Sequence, residues 1–193
     1  LIPIVYAPGA DITAYLPTNI MSITDGQWIL DGQIFKDTMR PAISTALSVT
    51  RVGGVGQNKR QKGLADKLNL TLAGYRTAEE YAHFGTELSP QAQADYDKGK
   101  VLFKLMNQAI GEVYSFAEQQ FLMSIVLGSE PQEIVDIEKL KAKVHDYAAK
   151  LQEDKDMNGN FDELAAALKA EVTTIDEVKQ KAIEKAAKAE AEK

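Results

Sequence analysis

The chain of 193 residues contains no cysteine, two histidines and a single tryptophan. The absence of cysteine excludes a disulfide scaffold and a cysteine-based metal site, and it is typical of proteins kept in a reducing compartment. Neither His83 nor His145 belongs to an HExxH motif or has a histidine or cysteine partner at ligand spacing. We therefore expect no metal site of the zinc type.

Long apolar runs and leader signals are missing too. No apolar stretch approaches the ~20 residues that a membrane-spanning helix needs, so we expect no direct membrane insertion. The opening string, LIPIVYAPGAD, has no basic side chain, which argues against a signal peptide. Because the chain begins with Leu1 and not with methionine, we expect further sequence upstream of it.

Clustered positive charge is a third feature that the sequence lacks. The 22 basic and 28 acidic side chains give a formal net charge of -6. Proteins that bind nucleic acid neutralise phosphates with clusters of lysine and arginine. The charge balance therefore argues against a nucleic-acid partner.

The motifs of complete catalytic sites are also absent. Neither the phosphate-binding pattern GxxxxGK[ST] nor the nucleophile elbow GxSxG occurs in the chain. We therefore expect the chain alone to show no ATPase activity and to hold no cofactor of its own.

The residues up to about Gly56 read as strands and turns. Leu1–Val5 and Ile20–Thr24 are short apolar runs closed by glycine-containing turn signals, and we expect both to be strands. Ile43–Val49 alternates apolar and small polar residues, which predicts a third strand. Glycines then predict a loop over Val52–Gln57. Trp28 is expected to be a packing residue.

From Asn58 onward the pattern changes to that of helices. Leu64, Leu68 and Leu72 follow one another at four-residue spacing, as on one face of a helix. Tyr114–Leu127 is apolar on nearly all sides, which predicts a central buried helix. Further helices are predicted after the Ser89-Pro90 pair, across residues 134–151 and 161–168, and in the Ala/Glu/Lys-rich tail from residue 175. The pattern indicates the end of an α/β domain joined to a helical bundle.

Two strings carry a resemblance to a known family. They are DITAYLPTNIMSITDGQ over Asp11–Gln27 and LSVTRVGG over Leu47–Gly54, and together they closely resemble the α subunit of the F-type ATP synthase. The β subunit of that enzyme has a different string where TNIMSITDGQ stands. The resemblance implies a mostly α chain, in which the last strands and turns of a RecA-like α/β nucleotide-binding domain over residues 1–57 precede an α-helical C-terminal bundle over residues 58–193.

Arg51 is the residue that this resemblance makes most important. In that family the arginine of the second string reaches across a subunit interface to nucleotide held by a β subunit, so the resemblance implies that Arg51 is an arginine finger acting in trans. It implies an interface role for Ser22 as well. From the residues alone two alternatives stay open: Arg51 pairing with a surface carboxylate, and a Ser22 hydroxyl satisfied by neighbouring backbone.

A second group of residues resembles the family's non-catalytic nucleotide site. Arg40 and Pro41 match the pair beside the adenine, and Gln108 matches a glutamine that contacts the same nucleotide. The family's next glutamine is replaced here by Ile110, and the loop after it is altered. The resemblance implies cofactor binding by Arg40, Pro41 and Gln108, at a site that departs from the family pattern.

Two loops invite further interpretation. Gly85–Leu88 resembles a loop that faces the rotating central stalk, although a plain helix–helix turn explains it equally well. The string DKDMNGNFDELA over Asp154–Ala165 resembles an EF-hand loop at its first six positions. Ala165 stands where a bidentate glutamate should complete the calcium shell, so we expect no calcium binding.

The function that the resemblance implies is that of a fragment of the regulatory, non-catalytic α subunit of a proton-translocating F-type ATP synthase. Its expected partners are β and γ subunits in an α/β ring, with ATP or ADP and Mg in the full complex, on the cytoplasmic face of a membrane. One alternative is a freestanding helical interaction module derived from that subunit, without a role in ATP turnover. Another is a calcium-responsive helical protein.

Overall fold

A computed structural model describes residues 2–83, 88–152 and 159–181. Its contacts divide the chain into a smaller unit, Leu1–Asn58 with Met106–Glu112, and a larger unit, Lys59–Leu105 with Val113–Lys193. In the described residues helices dominate, and the sheets are two antiparallel pairs of short strands. The prediction of a mostly α chain is confirmed.

The elements follow one another in this order. The helices are α1 Tyr15–Ile23, α2 Gly32–Lys36, α3 Lys59–His83, α4 Pro90–Met106, α5 Phe116–Leu127, α6 Ile137–Ala148 and α7 Phe161–Val172. The strands are β1 Gly26–Gln27, β2 Val49–Thr50, β3 Glu133–Val135 and β4 Thr173–Ile175, and short 3-10 turns cover Pro8–Ala10 and Gly53–Gly56. Residues 177–181 are helical as well.

In the smaller unit, the prediction of a strand over Ile20–Thr24 is wrong. These residues lie in helix α1 and at its end, where the Thr24 hydroxyl donates to the Ile20 carbonyl at 3.1 Å. Pro17 is tolerated because it lies in the first turn, where backbone N–H groups have no intrahelical acceptor. A short apolar run before a turn signal had predicted a strand, but such a run is equally compatible with the end of a helix.

The other strand predictions in this unit are wrong or only partly right. Residues 2–5 form no strand. Within Ile43–Val49, Ile43 makes an isolated bridge to Leu30 and Val49 begins β2, but a turn lies between them. Trp28 is 74% exposed and so is not a packing residue within this unit. Alternation predicted strands here, but strands need pairing partners, and β1 and β2 pair over only two residues each.

The larger unit is built around helix α5, which confirms the prediction of a central buried helix. Its start is fixed by a capping box, in which Ser115 and Glu118 each bind the other's backbone N–H. Along the helix Phe121 and Val126 are completely buried. The surrounding core contains residues of α4, α6 and α7, namely Leu102, Leu105, Leu140, Val144, Phe161, Leu168 and Val172.

Helices α3 and α4 pack through an aromatic contact that leaves no room for a side chain at Gly99. The rings of Tyr75 and Tyr96 stack with their centroids 5.5 Å apart. A Cβ atom added at Gly99 would lie 2.2 Å from the Tyr75 ring. The glycine therefore permits the Tyr75 ring to pack against the backbone of α4.

Helix α6 begins later than its apolar pattern predicted. Ile134 belongs to β3, which pairs with β4 over three residues, and the helix starts after Asp136. The Asp136 carboxylate accepts a hydrogen bond from the Lys139 N–H at 3.1 Å, as an N-cap does. The N-cap at Asp136 fixes the start of the helix. Apolar periodicity does not detect a cap, so it placed this start too early.

Acid is expected to destabilise this unit partly through Glu118. Burial alone would raise the pKa of Glu118, but hydrogen bonds from His145 and Ser115 outweigh it and hold the pKa below its ordinary value of 4.5. A lowered folded-state pKa adds stability above the unfolded-state pKa, and this stability is lost as pH falls through the folded-state pKa. Urea unfolding of Glu118→Gln should therefore show a weaker decline between about pH 5 and pH 3 than the parent chain.

The matched control for this prediction is Glu138→Gln, because the Glu138 side chain on α6 is 80% exposed. An identical acid profile for the Glu118→Gln variant and the parent would contradict the argument.

Candidate functional site

Arg51 lies directly after β2 and is held there by two hydrogen bonds. Its backbone N–H donates to the Asp25 carbonyl at 2.7 Å, just before β1. Its guanidinium Nη2 donates to the Met21 carbonyl at 3.2 Å, in the last turn of α1. A cation at a helix C-terminus is favoured by the helix dipole. The guanidinium is exposed yet oriented, and among the described residues it binds a backbone carbonyl and no carboxylate.

Ser22 is brought next to Arg51, because it follows Met21 in the chain. The Ser22 hydroxyl donates to the Asn19 carbonyl at 2.7 Å, one turn back along α1. Neighbouring backbone therefore satisfies the Ser22 hydroxyl, as one of the two alternatives held, but Ser22 lies in a helix and not in a strand. Ser22 and Arg51 therefore lie at the same end of α1, where both are exposed.

Gly26 permits the strand pairing that positions Arg51. In the β1–β2 pair Gly26 lies opposite Thr50, and a Cβ atom at position 26 would lie 2.7 Å from the Val49 carbonyl oxygen. This clash is with backbone, so a side-chain rotation cannot relieve it.

We expect Gly26→Ala to separate β1 from β2 and to displace Arg51, so the Arg51 N–H, which donates to the Asp25 carbonyl, should lose its protection from hydrogen exchange. The control is Gly32→Ala, because nothing lies within 4 Å of a Cβ atom added at Gly32. Unchanged protection in Gly26→Ala would show that the strand pair does not position Arg51.

Arg40 is fixed by contacts on several sides. Its Nη1 donates to the carbonyls of Phe35 and Met39 at 2.8 and 2.9 Å, and its guanidinium carbon lies 3.6 Å from the centre of the Phe35 ring. Its backbone N–H donates to Asn107 Oδ1 at 2.8 Å. The peptide bond between Arg40 and Pro41 is cis.

The second predicted group of residues also comes together. The Gln108 N–H donates to the Arg40 carbonyl at 2.8 Å, which joins the segment after α4 to the Arg40-Pro41 pair. Arg40, Pro41 and Gln108 line one cleft of about 590 Å³, together with Thr38, Asn107, Ala109 and Ile110. We call it the Arg40 cleft. Ile110 is fully exposed at its wall.

Sequence reasoning missed three residues at this cleft. Thr38 has φ 65°, a left-handed conformation that is costly for a β-branched residue. Phe35 supports the Arg40 guanidinium, and Asn107 holds the Arg40 backbone. A positive φ at threonine leaves no mark in a single sequence, whereas the aromatic residue five positions before Arg40 was available as a signal.

The remaining predicted features give no second site. Residues 84–87 and 153–158 lie outside the described residues, so the interpretations of Gly85–Leu88 and of Asp154–Ala165 stay predictions. In the part of the chain that the structure describes, no group of three or more acidic, histidine or cysteine side chains is arranged to hold a metal ion. Within the same residues, none of the helices combines the length and the apolar character required to cross a membrane.

The geometry defines a class of protein: a helical bundle attached to a small unit that carries two ordered arginines, Arg40 and Arg51. The family model for the ATP synthase alpha/beta chain, C terminal domain, matches residues 57–190. The model for the ATP synthase alpha/beta family, nucleotide-binding domain, matches residues 1–50. The chain belongs to the ATP synthase alpha/beta family.

The curated relatives indicate which subunit of this family the chain resembles, namely the α subunit. ATP synthase subunit alpha of Anaplasma marginale (strain Florida) is 43% identical over 118 residues, which are 61% of this chain and 23% of the relative. That of Corynebacterium jeikeium (strain K411) is 40% identical over 129 residues, 67% of this chain and 23% of the relative. The chain thus spans about a quarter of the length of these relatives. The resemblance to the α subunit of the F-type ATP synthase is confirmed.

Proposed function

We propose that this chain acts as part of a non-catalytic α-type subunit and supplies Arg51 in trans to a nucleotide bound by a β-type subunit. The observation that carries the proposal is the guanidinium of Arg51, exposed at the end of β2 and oriented by the Met21 carbonyl. A planar guanidinium matches the geometry of phosphate oxygens and keeps its charge at every physiological pH. It would stabilise the charge that develops on a transferring phosphoryl group.

The nucleotide that is turned over, as ATP or ADP with Mg, is proposed to be bound by the partner subunit at the catalytic site. Arg51 adds a charge that the partner lacks, and Ser22 occupies the adjacent position at the interface. Synthesis and hydrolysis use this stabilisation alike, because both pass through the same transition state.

The Arg40 cleft is proposed to hold a second nucleotide that is not turned over. Pro41, Ala109 and Ile110 give it apolar walls, and Gln108 contributes an amide. Binding sites commonly combine apolar walls with a few polar groups, and strained backbone such as that of Thr38 is frequent at them. The residues present therefore fit a nucleotide base.

The surface of the smaller unit supports assembly with further protein. Exposed apolar side chains become candidates for an interaction surface when many of them lie on one unit. The exposed large apolar side chains between residues 2 and 55 are those of Ile2, Ile4, Tyr6, Tyr15, Leu16, Ile23, Trp28, Leu30, Phe35, Leu47, Val49, Val52 and Val55. We propose that they are covered in a ring of α-type and β-type subunits around a γ-type stalk, peripheral to the cytoplasmic face of a membrane and coupled to proton transport.

Purification of the natural protein from its own cells tests this assignment. We expect the chain to be recovered from the membrane fraction together with a β-type subunit, both identified by mass spectrometry, and to be released intact as a complex. Recovery of the chain alone from the soluble fraction would support instead the freestanding helical interaction module.

A further inference from the structure

A half-buried lysine reaches the C-terminal end of helix α5. The Lys98 ammonium, from α4, donates to the Leu127 carbonyl at 3.2 Å. Among the described residues, no carboxylate oxygen lies within 4.0 Å of this ammonium. Other described lysines do pair with a carboxylate, namely Lys104, Lys143, Lys169 and Lys179. In the described part of the chain, Lys98 is thus a charged group that is partly removed from water and bound to a main-chain carbonyl alone.

A second lysine at the same helix end disfavours the charge of Lys98. Lys169, from α7, donates to the next carbonyl, that of Gly128, at 3.1 Å. The Lys169 ammonium is itself paired with the Glu133 carboxylate on β3 at 2.7 Å. Two cations therefore share one helix end, and the anion on β3 is paired with Lys169 and not with Lys98.

These surroundings leave Lys98 neutral more often than an exposed lysine. Burial lowers the pKa of Lys98 below its ordinary value of 10.5, and the charge of Lys169 acts in the same direction. The carboxylates of Asp95, Glu130 and Glu133 act in the opposite direction without cancelling the effect of burial. A lysine amine is a nucleophile only in its neutral form, so at neutral pH Lys98 offers more nucleophile than a lysine surrounded by water.

We propose that Lys98 is a site of acylation by small acyl phosphates. The neutral Nζ attacks the carbonyl carbon of the acyl group, an amide bond forms, the bond from that carbon to the phosphate oxygen breaks, and phosphate leaves with the electron pair. The proton that Nζ loses passes to water. A half-buried amine admits a small donor, and acetyl phosphate is among the smallest activated acyl donors.

Acylation of Lys98 removes a cation from the end of α5. The amide keeps one N–H for the Leu127 carbonyl, so the hydrogen bond between α4 and α5 can persist, but the charge is lost. Cations near a helix C-terminus stabilise its last turn. The modification therefore loosens the end of the central helix, and the level of acyl phosphate becomes a signal that the helical bundle receives.

Lys100 is the matched control for a labelling experiment, because it lies two residues further along the same helix. Lys100 is exposed, and its ammonium lies 4.1 Å from the centre of the Tyr96 ring, which favours the charged form. The purified complex would be treated with acetyl phosphate, unfolded, and then labelled completely with deuterated acetic anhydride. Fragment-ion mass spectrometry gives the fraction that acetyl phosphate modified at each of the two lysines.

We expect Lys98 to react at least about threefold faster than Lys100 at pH 7, because the neutral fraction of an amine rises about tenfold for each unit by which its pKa is lowered. The ratio of the two rates should fall as pH rises to about 9.5, because an amine with a lowered pKa reaches its full neutral fraction first. Equal or slower reaction of Lys98 at pH 7 would overturn the proposal. A ratio that stays constant over this range would also overturn it, since access and not protonation would then set the rates.

Two substitutions test the effect of the modification on α5. Lys98→Gln imitates the acylated side chain, and Lys98→Arg keeps the cation without an amine that can be acylated. The Gly128 N–H, which donates to the Ser124 carbonyl at 3.0 Å, reports on the last turn of α5. Its hydrogen exchange should be at least about threefold faster in Lys98→Gln than in Lys98→Arg. Equal exchange in the two variants would overturn the claim that acylation loosens this helix end.

Discussion

Replacing Arg51 by alanine in the assembled complex is expected to lower ATP turnover by about 10³–10⁵-fold, the range that arginine fingers supply in phosphoryl transfer. The guanidinium is the part of this chain that we propose to reach the partner's nucleotide. Alanine removes its charge and its N–H donors together. The β1–β2 pair should survive the change, because the hydrogen bond from position 51 to the Asp25 carbonyl is made by the backbone.

Two further variants separate a chemical role of Arg51 from a structural one. Arg51→Lys keeps the charge but loses the planar fork, so we expect turnover between those of the parent and Arg51→Ala. Lys104→Ala removes an exposed cation and should leave turnover unchanged. If Arg51→Ala prevents assembly, the bond from Nη2 to the Met21 carbonyl is structural and the arginine-finger proposal fails.

The largest effect on stability is expected from Gly99→Ala. Its Cβ atom would lie 2.2–2.5 Å from the Cδ2, Cγ and Cβ atoms of Tyr75, which include the root of that side chain. Rotation of the ring about its own axis cannot clear these atoms, so the Tyr75 side chain must move away from α4 and its stacking on Tyr96 is lost. Overpacking of this kind costs about 3 kcal/mol in the free energy of unfolding. Urea unfolding followed by helical circular dichroism measures it.

Gly63→Ala is the matched control for this prediction, because it adds the same methyl group within α3. Nothing lies within 4 Å of a Cβ atom at Gly63, so the substitution should stabilise the helix by about 0.5–1 kcal/mol. If the free energy of unfolding falls in Gly99→Ala and rises in Gly63→Ala, the contact with Tyr75, and not helix propensity, determines the effect at Gly99. Equal effects would contradict the close packing of Tyr75 against Gly99.

The helical bundle could be predicted from the sequence because its signals are long. The apolar spacing of Leu64, Leu68 and Leu72 continues over several turns, and Tyr114–Leu127 is apolar over a whole helix. The smaller unit gave no such signal. Ile20–Thr24 is too short for periodicity to distinguish a helix from a strand, and the turn signal after it favoured the wrong answer.

The resemblance named the candidate site residues, but the sequence could not predict their geometry. The strings around Ser22 and Arg51 carried the resemblance, yet the bond from Arg51 to the Met21 carbonyl joins residues 30 positions apart and needs the folded chain. The same holds for Asn107, which holds Arg40 from 67 positions away. The left-handed backbone of Thr38 is a consequence of tertiary structure that local sequence does not encode.

Trapping of a transition-state analogue tests the central claim most directly. The complex would be incubated with MgADP and fluoroaluminate, which mimics a transferring phosphoryl group, and the bound analogue would be compared between the parent and Arg51→Ala. Because Arg51 is proposed to act on charge that develops in the transition state, the variant should lose at least about 10²-fold in affinity for the analogue and less than about tenfold in affinity for MgADP. Equal trapping by the parent and the variant would contradict a role for Arg51 in the partner's catalytic site.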